Sequence, residues 1–137
     1  MSQMEELCTA WAPRLLSLLR IFAGLLFLEH GLQKLSGFPA PMPAGMMVPM
    51  FSLIWFAGVI ETVGGVLVAI GLVTRPAAFI MAGEMAIGYF MVHAPQGFFP
   101  LVNHGEAAIL FCFVFLYIAA AGGGAWSVDA ARRSTSS

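Results

Sequence analysis

The sequence of 137 residues is 60% hydrophobic and only 9% charged, whereas an ordinary soluble domain carries about 25% charged residues. A chain this apolar is expected to lie in a membrane, so the lipid bilayer is its first expected partner. The formal net charge of -1 excludes a basic surface that would attract nucleic acid, and no nucleic-acid partner is expected.

Four apolar segments are each about long enough to cross a bilayer, which takes roughly 20 helical residues. Proline and glycine lie between these segments, and both residues interrupt helices. The sequence therefore predicts an all-α integral membrane protein with one domain over residues 1–137, folded as a four-helix transmembrane bundle. The predicted spans are 15–35, 51–73, 76–92 and 104–122.

Basic residues are unevenly distributed between the two sides of this four-span topology. Lys34 alone lies on the side away from the chain ends. The others lie on the side of the chain ends, namely Arg14, Arg20, Arg75, Arg132 and Arg133. Because lysine and arginine accumulate in cytoplasmic loops, the pattern predicts a multi-pass protein with both termini in the cytoplasm.

The first span contains ionisable side chains that cost about 2.5–3.5 kcal/mol each at the centre of a membrane helix. Arg20 and Lys34 share one helical face, and His30 lies on the Lys34 side of it. Arg20 is expected either to line a ligand site or to pair with Glu61 or Glu84. Glu29 lies about 180° from Arg20 at 100° per residue, so contact with an adjacent subunit or with the membrane interface is expected for it.

Glutamates in the other spans are candidates for a shared polar interior. Glu61 lies on a helical stripe with Gly64 and Gly65, whose small size lets a neighbouring helix approach closely. Glu84 lies on a similar stripe in the third span. Glu106 is expected to face the same interior from the fourth span, so that three glutamates face one another.

The fourth span opens with the run NHGE, from Asn103 to Glu106. This run fits a variant capping box in which Asn103 caps the helix and Glu106 reaches back. The helical stripe that continues from these residues through Phe113 and Tyr117 is expected to face inward, and these aromatic side chains with Trp55 are expected to supply apolar walls.

Together these features predict a polar cavity in the outer half of the bundle. Glu61 is predicted to be the catalytic residue, as the carrier of a proton. The predicted substrate-binding residues are Arg20, His30, Lys34, Glu84, Asn103, His104 and Glu106.

Three runs of the sequence resemble the DoxX/DoxD-like family of small four-span bacterial membrane proteins. They are LLRIFAGLLFLEHGLQKLSGF, GVIETVGGVLVAIGLVTRPAA and NHGEAAIL. Glu29 has no place in the family pattern. The residues that match it most specifically are Arg20, His30, Gly31, Lys34, Glu61, Gly64, Gly65, Asn103 and Glu106.

The resemblance implies a bacterial inner-membrane location and an association with redox chemistry. The family is named for a thiosulfate:quinone oxidoreductase, and relatives are linked to quinone handling or thiol-redox stress. The chain has two well-separated cysteines, Cys8 and Cys112, and no nucleotide-binding glycine loop. Redox capacity would therefore have to come from a quinone, a bound metal or a partner subunit.

These features favour a quinone-interacting, redox-associated membrane subunit. A small-solute carrier is the first alternative, and with so few spans it would act as a homo-oligomer. A metal site built from glutamates and histidines is the second alternative, although the Glu-x-x-His motifs of di-iron bundles are absent. The sequence does not distinguish a catalytic oxidoreductase chain from an accessory subunit.

Overall fold

A computed structural model describes residues 1–136, and within this range the chain is helical and contains no strand. The helices are α1 (Gln3–Ser36), α2 (Leu53–Ile70), α3 (Thr74–Gly88), α4 (Pro100–Asn103), α5 (Glu106–Ala121) and α6 (Val128–Thr135). A π-helical turn, Tyr89–His93, and a 3-10 turn, Ala94–Gln96, continue α3.

Three helical segments are long and apolar enough to cross a membrane, namely Gln3–Ser36, Leu53–Ile70 and Thr74–Gln96. The apolar helix α5 is shorter, with 16 residues. The prediction of an all-α membrane bundle is confirmed. These segments lie close to the predicted spans, except that α1 begins well before residue 15.

Local capping explains where α1 and α2 begin and end. The Ser2 side chain accepts a hydrogen bond from the Glu5 amide, while the Glu5 carboxylate accepts one from the Ser2 amide, so a complete capping box starts α1 at Gln3. The Ser52 side chain caps α2 by accepting a hydrogen bond from the Trp55 amide. Gly71 ends α2 with φ 75°, a left-handed conformation that glycine adopts without steric cost.

The bundle is built from two closely packed helix pairs, α1 with α2 and α3 with α5. Aromatic side chains join the pairs, since the ring of Phe27 on α1 lies 4.9 Å from Phe115 and 5.4 Å from Phe111, both on α5. Met81 and Val68 complete this core and are fully buried. The interior between the two pairs is therefore mainly apolar.

The segment of α1 around Pro13 and the C-terminal helix α6 lie on the same side of the bundle. The Ala125 amide donates to the Pro13 carbonyl at 3.1 Å, and the Asp129 amide donates to the Gly71 carbonyl at 2.8 Å. We call this the terminal side. The opposite side, which holds the segments 37–52 and 94–105, is the loop side.

The structure corrects the expected start and facing of α5. Gly105, not Asn103, is the N-cap of α5, and no side chain caps it, so the NHGE capping box does not form. Phe113 and Tyr117 are exposed, whereas Phe115 and Ile118 are buried. Because α5 is apolar on all sides, its packing partners determine which face points inward. Periodicity in the sequence could not identify that face.

Candidate functional site

Small residues let α1 and α2 approach closely beside the buried carboxyl of Glu61. A side chain at Gly31 would place its Cβ 2.5 Å from the Thr62 amide nitrogen. One at Gly65 would lie 2.9 Å from the Leu28 amide nitrogen. Only glycine therefore fits at these crossing points, and the close approach brings the end of α1 next to the middle of α2.

An ion pair joins these two helices. The Lys34 ammonium on α1 donates to Glu61 Oε2 on α2 at 2.7 Å. The Glu61 side chain is only 3% exposed, and that of Lys34 is 19% exposed. A buried carboxylate is tolerated when a paired charge also donates a hydrogen bond to it, which Lys34 does here.

Glu84 extends this ion pair from α3. The Glu84 carboxyl is close enough to Glu61 and Lys34 to interact electrostatically with both. Its Oε2 atom is buried and has no hydrogen-bond partner among residues 1–136. We call Lys34, Glu61 and Glu84 the carboxyl cluster; it combines two carboxyls and one ammonium from three helices.

Arg20 lies elsewhere, about 21 Å along α1 from Lys34 at 1.5 Å per residue. Its side chain is fully buried. It donates to the carbonyls of Gly123 at 2.8 Å, of Val68 and Ala69 at 2.9 Å each, and of Trp126. The expected pairing with Glu61 or Glu84 does not form, because backbone carbonyls at the terminal side surround the guanidinium.

Asn103 is fully buried and organises the loop side. Its amide nitrogen donates to the Gly97 carbonyl at 2.9 Å and to the Tyr89 hydroxyl at 3.2 Å, while its side-chain oxygen accepts from the Gly105 amide at 2.8 Å. His93 Nδ1 lies 3.0 Å from the Asn103 carbonyl oxygen. These contacts tie the π-helical turn to the start of α5.

The remaining predicted site residues are exposed, namely His30, His104 and Glu106. The His30 ring lies 6.1 Å from Phe111 in an edge-on contact, on the α5 side of α1. The structure thus brings Lys34, Glu61 and Glu84 together, and it does not add Glu106 to that cluster.

Comparison with known proteins places this sequence in a family. The sequence profile of the DoxX family matches residues 15–94. A Haemophilus influenzae protein described only as uncharacterized is 43% identical over 122 residues, which cover 87% of this chain and 91% of that protein. The chain belongs to the DoxX family. No solved structure matches it.

The matched range of this DoxX-family protein contains the whole carboxyl cluster and Arg20, and it ends before Asn103. Sequence reasoning missed the partners of two site residues: Tyr89 beside Asn103, and the carbonyls around Arg20. A lone tyrosine at the end of an apolar helix gives no periodic signal, and backbone acceptors leave no trace in residue identities.

Metal binding gains no geometric support in the DoxX-family chain. Within residues 1–136, no three or more side chains of His, Cys, Asp or Glu are grouped closely enough to hold a metal ion. The cysteines also lie apart, with Cys8 exposed near the start of α1 and Cys112 within α5.

Proposed function

We propose that this DoxX-family protein is a quinone-interacting subunit of the bacterial inner membrane that exchanges protons for a redox partner. The observation that carries the proposal is the carboxyl cluster, in which Lys34, Glu61 and Glu84 meet inside an apolar helical bundle. Ionisable groups within membrane helices are costly and typically mark ion, proton or ligand sites.

The charges of the cluster suit proton exchange. One ammonium balances one carboxylate, so a second ionised carboxyl would leave an uncompensated buried charge. A proton on Glu84 or Glu61 removes that charge. The buried Glu84 Oε2 atom has no hydrogen-bond partner within residues 1–136. It could therefore carry such a proton or accept a hydrogen bond from a ligand.

In this proposal, the quinone ring would lie where α1 meets α5. His30 lies against Phe111 there, and Lys34 follows one helical turn further along α1. His30 or Lys34 would donate a hydrogen bond to a ring carbonyl, and the aromatic side chain would cover the ring. Reduction of a quinone to a quinol takes up two electrons and two protons. In the proposal Glu61 and Glu84 pass protons, and a partner redox subunit supplies the electrons.

The test is titration of purified full-length protein in mild detergent with a water-soluble quinone analogue, followed by fluorescence or calorimetry. We expect saturable binding. Lys34→Ala should weaken it at least about tenfold, because the substitution removes one charged hydrogen bond to the quinone. We also expect binding to vary with pH in the wild type and to lose that variation in Glu61→Gln or Glu84→Gln.

Glu29→Gln is the matched control, because it neutralises an exposed carboxyl on the side of α1 that faces away from the carboxyl cluster. It should leave quinone affinity unchanged. Thermal unfolding of every variant separates loss of binding from loss of folding. Absence of saturable binding to folded protein, alone or in native membranes, would contradict the quinone proposal and favour the small-solute carrier.

A further inference from the structure

A continuous row of exposed side chains follows α1 on the side that faces away from the bundle. The helix packs against its neighbours through buried Arg20, Gly24, Phe27 and Gly31. The exposed row lies opposite, with members three or four residues apart, and we call it the α1 stripe. Its members are Met4, Cys8, Trp11, Leu15, Leu18, Phe22, Leu25 and Glu29.

The spacing of the α1 stripe is that of a coiled-coil seam. From Met4 onward the intervals alternate between four and three residues without interruption. The mean interval is therefore 3.5 residues, which is the spacing of the a and d positions through which two parallel helices pack in a coiled coil. Any one side of an α-helix shows these intervals, so they allow a second helix to pack there, and the length of α1 and the carboxyl of Glu29 point to that partner.

The stripe also continues beyond the part of α1 that a membrane would cover. With 34 residues, α1 is about 51 Å long, against a hydrocarbon thickness of about 30 Å. Pro13 already contacts the terminal-side loop, and the preceding residues extend past the bundle with every side chain exposed. Met4, Cys8 and Trp11 lie on the stripe there, while Glu5 and Glu6 lie off it. Lipid does not account for an apolar seam in that segment.

Glu29 gives the stripe a polar position inside the membrane span. Its side chain is exposed and has neither a hydrogen bond nor an ion pair within residues 1–136. At a twofold axis a seam residue meets its own counterpart. Two Glu29 carboxyls that share a proton would hydrogen-bond to each other, and a polar seam residue of this kind fixes the register of a helix pair.

We propose that two copies of this chain associate in parallel through the α1 stripe, with Cys8 at the seam outside the bundle and Glu29 at the seam inside it. The proposal does not depend on quinone binding. The carboxyl cluster faces the opposite side of α1 and remains within each copy.

Cysteine cross-linking in membranes tests the seam. In a Cys112→Ala background, Cys8 is the one remaining thiol in the sequence, and oxidation with copper phenanthroline should give a disulfide-linked dimer that dithiothreitol reverses. Moving the thiol to the opposite side of the helix, with Cys8→Ala and Ala10→Cys, should reduce cross-linking at least severalfold. Absence of a dimer with Cys8, or equal cross-linking at both positions, would overturn the proposal.

A second measurement tests the seam inside the membrane span. Phe22 on the α1 stripe and Phe79 on α3 are each 63% exposed. Phe22→Ala should raise the dimer dissociation constant in detergent about tenfold, as loss of a central aromatic contact does, whereas Phe79→Ala should leave it unchanged. A monomeric wild type, or equal effects of the two substitutions, would contradict the proposed interface.

Discussion

The buried Arg20 and the partly buried Lys34 are stabilised in different ways. Arg20 directs its planar fork of donors at backbone carbonyls, which fix the helix ends at the terminal side. Lys34 instead pairs with one carboxylate beside a second carboxyl. The carboxyl cluster holds two titratable carboxyls beside one ammonium, and it is therefore the site at which we propose proton exchange.

Removal of one member of the Lys34–Glu61 pair should cost more than removal of both. Lys34→Met leaves Glu61 buried without its partner, and breaking a buried pair costs about 3–5 kcal/mol. The double variant Lys34→Met/Glu61→Gln removes both charges and should recover most of that loss. Thermal unfolding in detergent measures the difference. Single-variant losses that simply add in the double variant would show that the pair contributes no coupling.

At the scale of helices, glycines determine how α1 meets α2. Gly24 and Gly31 lie on α1 seven residues apart, as Gly58 and Gly65 do on α2. The two backbones approach at Gly24, Gly31 and Gly65, whereas Gly58 faces side chains of α1. This approach sets the axial placement of Lys34 against Glu61. The glycine contacts between α1 and α2 thus determine where the charged pair forms, and the pair follows from this packing.

Gly31→Ala should separate α1 from α2, because the added Cβ would lie 2.5 Å from the Thr62 amide nitrogen. Such overpacking costs about 1–3 kcal/mol. Gly83→Ala is the matched control, since its Cβ would meet no atom within 4 Å. It should leave stability unchanged or raise it by up to about 1 kcal/mol through helix propensity. Equal melting temperatures for the two variants would contradict this account of the packing.

A carboxylate from α6 caps the start of α3. Asp129 accepts hydrogen bonds from the Val73 and Thr74 amides at 2.9 Å each. Partial burial opposes ionisation of Asp129, but these hydrogen bonds and the charge of Arg133 outweigh it and hold the pKa below its usual value of 3.8. The short C-terminal helix is thereby attached to the bundle, rather than being held only by its chain connection.

Asp129→Ala should lower the stability of the folded protein at pH 7 by about 1 kcal/mol, a typical value for a lost helix cap. Because the folded-state pKa is depressed, the stabilisation is present above pH 3.8 and is lost as pH falls through the lower folded-state value. Unfolding curves of wild type and variant should therefore converge in that acidic range. A constant difference down to pH 3 would refute the role of the ionised carboxyl.

At the scale of the whole molecule, the described segments near both chain ends lie on the terminal side together with most of the positive charge. Arg14 in α1 and Arg75 at the start of α3 lie on this side, and Arg132 and Arg133 lie in α6. Positive charge favours the cytoplasmic side during insertion. The chain ends and the arginines therefore support the same orientation.

Reporter fusions test that orientation. A fluorescent protein joined to the C-terminus should be fluorescent, and alkaline phosphatase there should be inactive, because both chain ends are expected in the cytoplasm. Alkaline phosphatase inserted after Ala44, in the exposed segment of the loop side, should be active. The reverse pattern would invert the proposed topology and place the carboxyl cluster nearer the cytoplasm.

Much of the helical plan could be predicted because it depends on local pattern. Apolar length gave the long helices, and the glycine stripe of α2 indicated that Glu61 faces inward, where the structure places it. Glu29 lies outside the bundle, as its position opposite Arg20 indicated. Periodicity succeeds for these residues because one side of each helix is chemically distinct from the other.

Only the tertiary structure decided which groups meet. It paired Lys34 with Glu61, surrounded Arg20 with carbonyls, brought Asp129 to the start of α3 and turned Glu106 away from the cluster. A helical pattern specifies an inward face, whereas each of these contacts depends on how far one helix is shifted and rotated against another. Those shifts follow from side-chain packing across helices far apart in sequence, above all from the glycine contacts of α1 with α2.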